Sequence, residues 1–236
     1  MTPKLYMLDL SPPARAAMMA CEVFEVPVQM IRMDFLMKDH MKPEYLKKNP
    51  LHTVPVYEDG DLILHDSHAI LMYLADTYGE NDDLYPKDVK QRALVNQILF
   101  FESGVLFPRL RAITYPAFME GKTEVSKIKM DRMEESYGYV EQFLTRSKYI
   151  ATNDLTIADI SVIATLSSMI ELVPLDSEKV LNHWLPLSMD QKPTISLVLD
   201  GVKCPQIFIY FIYEKPNVQQ KTFSAYYGEL LECILL

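Results

Sequence analysis

Asn49-Pro50-Leu51-His52-Thr53-Val54-Pro55-Val56-Tyr57-Glu58-Asp59-Gly60-Asp61-Leu62-Ile63-Leu64-His65-Asp66-Ser67-His68-Ala69-Ile70 is the stretch whose reading decides the fold. An X-Pro bond such as Val54-Pro55 can be cis at modest cost. A cis proline at the mouth of a strand turns the N–H and C=O of the preceding residue outward, free to pair with an extended peptide. A strand is expected over Val54 to Tyr57 and another over Leu62 to Leu64. Between them Glu58-Asp59-Gly60-Asp61 carries the Asp-Gly step of a tight antiparallel hairpin. Asp66-Ser67 then precedes Ile70, Leu71, Leu74 and Tyr78 at helical spacing, so one of the pair caps a helix whose first N–H groups stay open to a carboxylate. Taken alone, Asp66-Ser67 is an ordinary cap. One hairpin away from an exposed backbone edge, it becomes half of a peptide-binding site.

Upstream, Lys4 to Leu10 alternates as a strand. Ser11-Pro12-Pro13 opens a helix through Ala16, Ala17, Ala20 and Phe24, with serine as N-cap and proline in the first turn. Val28 to Met33 reads as a second strand. The order strand, helix, strand, loop or helix, hairpin, helix is that of a thioredoxin-like domain. A thioredoxin or glutaredoxin needs Cys-x-x-Cys at the start of its first helix, because one thiolate attacks and the other resolves. Here that position reads Ser11-Pro12-Pro13-Ala14, which excludes dithiol exchange at this site. Cys21, Cys204 and Cys233 have no metal or redox spacing, and Cys21 reads as a small apolar filler within the first helix.

Apolar periodicity stops at Gly79-Glu80-Asn81-Asp82-Asp83-Leu84-Tyr85-Pro86-Lys87, which marks a boundary: a thioredoxin-like domain over 1–79, a linker over 80–87 and an all-α domain over 88–236. In the second domain Leu94, Ile98, Phe101, Val105 and Leu106 form one stripe, with a kink expected at Pro108. Val125, Ile128, Met133, Tyr137, Val140 and Leu144 mark a second long helix. Thr156-Ile157-Ala158-Asp159 has the form of a capping box, with Leu155 and Ile160 as its hydrophobic staple, and opens a helix whose role is folding.

At 236 residues, 49% hydrophobic and 23% charged, the chain suffices for two modest cores. A net charge of −9 leaves no basic stripe for a nucleic acid. The apolar run Ile207 to Tyr213 is far shorter than the roughly 20 residues that span a bilayer, and the N-terminus carries no signal-like segment, so no membrane role is expected and the cytoplasm is the default compartment.

Taken together, Ser11-Pro12-Pro13-Ala14-Arg15, the Asn49 to Pro55 run, Asp66-Ser67-His68-Ala69-Ile70, Phe101-Glu102-Ser103-Gly104-Val105-Leu106-Phe107 and Leu155-Thr156-Ile157-Ala158-Asp159 resemble the cytosolic glutathione transferases, of the insect delta/epsilon branch. The resemblance covers most of residues 3 to 180. It implies an α/β thioredoxin-like N-terminal domain plus an all-α C-terminal domain. It also implies glutathione as co-substrate without a metal, a homodimer, and conjugation of the glutathione thiolate to small hydrophobic electrophiles in detoxification.

Position by position, the resemblance implies that the Ser11 hydroxyl holds the glutathione sulfur as a thiolate. Val54, with Pro55 cis, is the backbone partner of the cysteinyl unit. His40 and His52 lie near the glycyl end, Asp66 and Ser67 hold the γ-glutamyl amine and carboxylate, and His68 joins the binding set. Pro13, Leu36, Phe107, Leu110, Arg111, Thr114, Phe118 and Met119 are the implied electrophile pocket, with Arg111 able to steady an anionic group. No acidic residue stands among Leu110, Arg111 and Ile113 to hold a sterol hydroxyl, which argues against a steroid role.

Two other readings stand beside the enzyme: a non-catalytic carrier of lipophilic ligands, and a structural protein that keeps only the scaffold. Beyond about Leu185 the chain departs from the family. Lys192-Pro193, Cys204-Pro205 and Lys215-Pro216 interrupt helices, and Gln206 to Tyr213 is β-prone. That tail reads as an alternative end, a changed reading frame or a divergent cover for the pocket, and no catalytic residue is assigned to it.

Overall fold

The computed structural model describes residues 2–122 and 124–174. The expectations for the tail from Leu185 onward, Cys204 and Cys233 included, lie outside the described residues. Strand β1 (Lys4–Met7) leads through Ser11 into α1 (Pro12–Val23), β2 (Gln29–Arg32), a 3₁₀ turn (Asp39–Met41) and a single-turn α2 (Pro43–Leu46). The hairpin β3 (Val56–Asp59) and β4 (Leu62–Leu64) follows, then α3 (Ser67–Tyr78). The sheet order is β2-β1-β3-β4, with β2 parallel to β1 and the other pairs antiparallel. Gly60 supplies the positive φ, 62°, of the two-residue hairpin loop. β3 starts at Val56, two residues later than the pattern suggested, because the chain enters the ladder only after the cis Val54–Pro55 peptide.

Helices make up the remainder: α4 (Val89–Phe101), a π-helical turn (Glu102–Leu106), α5 (Phe107–Glu120), α6 (Lys127–Leu144) and α7 (Ile157–Leu172). The expected stripe through Leu94 is displaced. Leu94 is 46% exposed, whereas Val95, Ile98, Leu99 and Leu106 are buried, so the seam lies one residue further along. The π turn immediately precedes Pro108, whose ring would crowd the carbonyl four residues back. A wider turn there relieves the crowding, so the irregularity takes the form of a π turn ahead of the proline. In α6 the buried face is Met133, Ser136, Tyr137, Val140 and Leu144, while Ile128 is 62% exposed.

Helix α7 is the core of the helical part. Twelve of its residues from Ile157 to Leu172 are buried, and it packs against both α1 and α4. It opens on a capping box: Thr156 is the N-cap, and the Asp159 carboxylate accepts from the Thr156 N–H at 2.8 Å, the Thr156 hydroxyl at 2.9 Å and the Ile150 N–H at 3.0 Å. Arg15, 3% exposed, crosses from α1 to α7 and donates to the Ala164 carbonyl at 2.7 Å, the Ser168 hydroxyl at 2.6 Å and the Ser167 hydroxyl at 3.2 Å, while another of its nitrogens reaches the Asp9 carbonyl. Guanidinium donors bonded on both sides tie the thioredoxin-like layer to the helices. Among the described residues no helix is long and apolar enough to cross a membrane.

Candidate functional site

Strand directions gather the candidate residues at one end of the sheet. Because Tyr6 pairs with Val56 in an antiparallel ladder, the segment that leaves β1 toward Ser11 lies beside the segment that enters β3 from Val54. Tyr57 pairs with Leu64, so β4 delivers Asp66 and Ser67 to the same end, and the parallel β2 delivers Leu36 and His40 there as well.

Ser11 is the N-cap of α1, with extended backbone. Its Oγ accepts from the Ala14 N–H at 3.4 Å, a long bond, and its own proton has no acceptor among the described residues. The hydroxyl is therefore a donor held at the positive end of a helix. Val54 is buried apart from 9% of its surface, and neither its N–H nor its C=O is engaged by another described residue. Buried backbone groups are nearly always paired, so an unpaired pair beside a helix start points to a ligand backbone.

The loop before Val54 is anchored from below. Asn49 is fully buried and donates to the Thr53 carbonyl at 2.9 Å and hydroxyl at 3.0 Å, while its Oδ1 accepts from the Leu51 N–H at 3.0 Å. The Tyr45 hydroxyl donates to the same Thr53 carbonyl at 2.6 Å. His52 is exposed at the top of this loop with φ of 48°. His40 is buried, stacks on Phe35 at 4.1 Å and lies 6.2 Å from His52.

Asp66 caps α3, its Oδ1 accepting from the N–H groups of His68 at 2.9 Å and Ala69 at 3.1 Å, which leaves Oδ2 free among the described residues. Ser67 is 8% exposed at the first position of the helix. The His68 imidazole departs from the expected role. It is 6% exposed, and its Nε2 lies 2.8 Å from the Ser161 hydroxyl and 3.0 Å from Glu102 Oε2, so its side chain faces the helical domain rather than the sheet end. Thr165 donates to the other oxygen of Glu102. A histidine and a carboxylate buried together need each other as partners, and this pair with its two hydroxyls forms the second polar tie between the layers.

Along α5, Phe107, Arg111, Thr114 and Phe118 recur at helical spacing on one face, with Met119 beside them at 41% exposure. Arg111 is exposed and stacks over the Tyr115 ring at 4.3 Å. Leu110 differs from the expectation of a pocket wall: it is 1% exposed and belongs to the core. From the other domain, Pro13 is half-buried at the start of α1 and Leu36 is 39% exposed. Cys21 is buried, and burial with the nearby Glu22 pushes its thiol up to about 12, which keeps it a protonated filler. Among the described residues no group of three or more His, Cys, Asp or Glu side chains is placed to hold a metal ion.

Sequence reading passed over Arg15, Glu102, Tyr45 and Asn49. Glu102 had a signal, since a carboxylate inside an apolar helical stripe is costly unless paired. Asn49 before a proline had another, the habit of such residues of bonding to backbone two positions on.

Family comparison agrees with this geometry. The glutathione S-transferase N-terminal domain matches residues 5–82, and the glutathione S-transferase C-terminal domain matches residues 108–187. Glutathione S-transferase 1 of Manduca sexta is 39% identical over 207 residues, 87% of this chain and 89% of that protein. The structure of an epsilon-class glutathione S-transferase from the housefly Musca domestica superposes with a TM-score of 0.78 at 38% identity, covering 86% of this chain and 98% of the other. A glutathione transferase homologue from Drosophila mojavensis with bound glutathione superposes with a TM-score of 0.82 at 40% identity, covering 91% and 98%. With both domain models matched and relatives of this identity spanning nearly the whole of their own lengths, this chain belongs to the glutathione S-transferase family, close to its insect delta and epsilon members.

Proposed function

We propose that this chain binds glutathione along the open backbone of Val54 and conjugates its thiolate to small hydrophobic electrophiles. The observation that carries the reading is the convergence, at one end of the sheet, of an unengaged peptide edge, a free hydroxyl at a helix start and a second helix start. The cysteinyl backbone pairs with Val54. The γ-glutamyl carboxylate meets the N-terminus of α3 at Ser67, and its amine meets the free Oδ2 of Asp66. The glycyl carboxylate lies toward His40 and His52, and the sulfur accepts from Ser11.

Magnitudes suffice. Lowering a thiol pKa from about 8.5 by roughly two units requires about 2.7 kcal/mol of preference for the thiolate. One charge-assisted hydrogen bond offers about 1.5–3 kcal/mol, and a helix N-terminus about 0.3–1 kcal/mol more. The thiolate is itself the nucleophile, so neither a metal nor a general base is required of the chain. The face of α5 carrying Phe107, Arg111, Thr114 and Phe118, with Leu36 and Pro13 opposite, receives the electrophile. Action in the cytoplasm and a part in detoxification belong to the same reading. So does a homodimer, for which light scattering should return twice the chain mass.

Turnover of a chlorinated nitrobenzene with glutathione, set beside retention on a glutathione column, is the test. Retention with turnover is expected. Retention without turnover favours the lipophilic-ligand carrier, and the absence of both removes the reading.

Asn49→Ala is expected to act on this site through the loop. It orphans the Leu51 N–H and frees Thr53, costing about 1–3 kcal/mol of stability. Because the loop presents Val54, KM for glutathione should rise several-fold while kcat at saturation changes less. Urea unfolding and steady-state kinetics check both parts.

A further inference from the structure

His40 is an anomaly in the site. It has 5% of its surface exposed, and its Nδ1 is buried without a hydrogen-bond partner among the described residues. Its ring lies nearly flat on Phe35, 4.1 Å between centroids and 20° between planes. An aromatic face of this kind accepts an imidazolium at least as well as a neutral imidazole.

The charges around the ring do not balance a proton. His52 on the 49–55 loop stands 6.2 Å away, and Lys38 precedes it on its own turn. The nearby carboxylate, Asp39, is committed elsewhere: it pairs with Lys42 at 2.6 Å and accepts the Asp34 N–H at 2.9 Å. The ring therefore has an aromatic shelf for its charged form and lacks a free counter-ion.

We propose that binding of glutathione draws one proton onto the imidazole of His40, the glycyl carboxylate being the counter-charge that the buried ring lacks. This rests on the glutathione reading given above. In the free protein, burial and the neighbouring His52 hold His40 below the ordinary histidine range, so it is neutral at neutral pH. A carboxylate within hydrogen-bond reach raises a histidine's pKa. Between the free and bound values, binding takes up a proton, and affinity rises as pH falls; above the bound value and below the free value it is flat. The thiol of glutathione has the opposite linkage, since it loses its proton on binding, and would mask the effect.

S-methylglutathione, which has no thiol, is therefore the probe. Calorimetry of its binding to the full chain, in two buffers of unlike ionisation enthalpy between about pH 5.5 and 8, reads the number of protons taken up. The expected result is a net uptake approaching one proton at its maximum, with affinity rising by up to about tenfold per pH unit there. His40→Asn should bind with no uptake and a flat pH profile.

Binding by the wild type without uptake, or uptake that survives His40→Asn, overturns the proposal. Should His40→Asn fail to fold or bind, histidine NMR of the wild type decides. A His40 pKa that climbs on adding S-methylglutathione supports the proposal, and one that stays put overturns it. If the wild type does not bind S-methylglutathione at millimolar concentration, the glutathione reading itself fails, a result distinct from binding without proton uptake.

Discussion

Ser11→Ala is expected to lower turnover about 10–100-fold, the loss of one charge-assisted hydrogen bond to a thiolate, while glutathione still binds. The two effects separate because the tripeptide is held by several groups, the Val54 backbone and the start of α3 among them, and the sulfur by one. Folding should be little affected. The cap bond from the Ala14 N–H to Ser11 is 3.4 Å long, so its removal falls at the low end of the roughly 0.5–2 kcal/mol that an N-cap contributes. Kinetics and glutathione calorimetry on the same preparation give the answer. Turnover within twofold of wild type would remove Ser11 from the chemistry, and loss of binding would show that the hydroxyl holds the ligand rather than activating it.

Asp159→Ala is expected to have the largest effect on stability and none on the chemistry of each folded molecule. The carboxylate is fully buried and satisfies two backbone donors, Ile150 N–H and Thr156 N–H, besides the Thr156 hydroxyl. Each orphaned buried donor costs about 1–3 kcal/mol, and the helix loses its cap as well, so a loss of about 3–5 kcal/mol is expected. Against a total of about 5–15 kcal/mol for a typical protein, that is enough to limit soluble yield. Those carboxylate bonds go to Ile150 and to Thr156 at the start of α7 and to no residue of the candidate site, so their loss is expected to reach the site through unfolding. Urea denaturation should move to a lower midpoint with unchanged slope, and kcat per folded molecule should stay near wild type. A loss of less than about 1 kcal/mol would mean that water or rearranged side chains replace the carboxylate.

The site was legible where it depends on local chemistry. Ser11 before two prolines, the Asp-Gly hairpin, Asp66 ahead of an apolar helix and Thr156 three residues before Asp159 each announce their structure within a few residues, because caps and tight turns are made by short-range bonds. The succession of strand, helix, strand, hairpin and helix along the chain follows from those pieces. What stayed hidden depends on contacts far apart in sequence. Arg15 meets Ala164 and Ser168, and His68 meets Glu102 and Ser161, across the junction of the two layers. The direction of the His68 side chain is hidden for that reason: the residue follows Ser67 in the chain, but the helix turns its imidazole toward Glu102 and Ser161. The π turn was missed because periodicity assumes a constant 3.6 residues per turn, and Pro108 changes the local count. Leu110 is placed in the pocket by the resemblance, which cannot tell the wall of a cleft from the core behind it.

Titration of the thiol of bound glutathione, followed by the ultraviolet absorbance of the thiolate in a saturated complex, tests most directly whether one hydroxyl at the tip of α1 keeps the sulfur ionised. A midpoint near pH 6.5, roughly two units below that of the free thiol, is expected. A midpoint indistinguishable from that of glutathione in water would contradict that role for the hydroxyl.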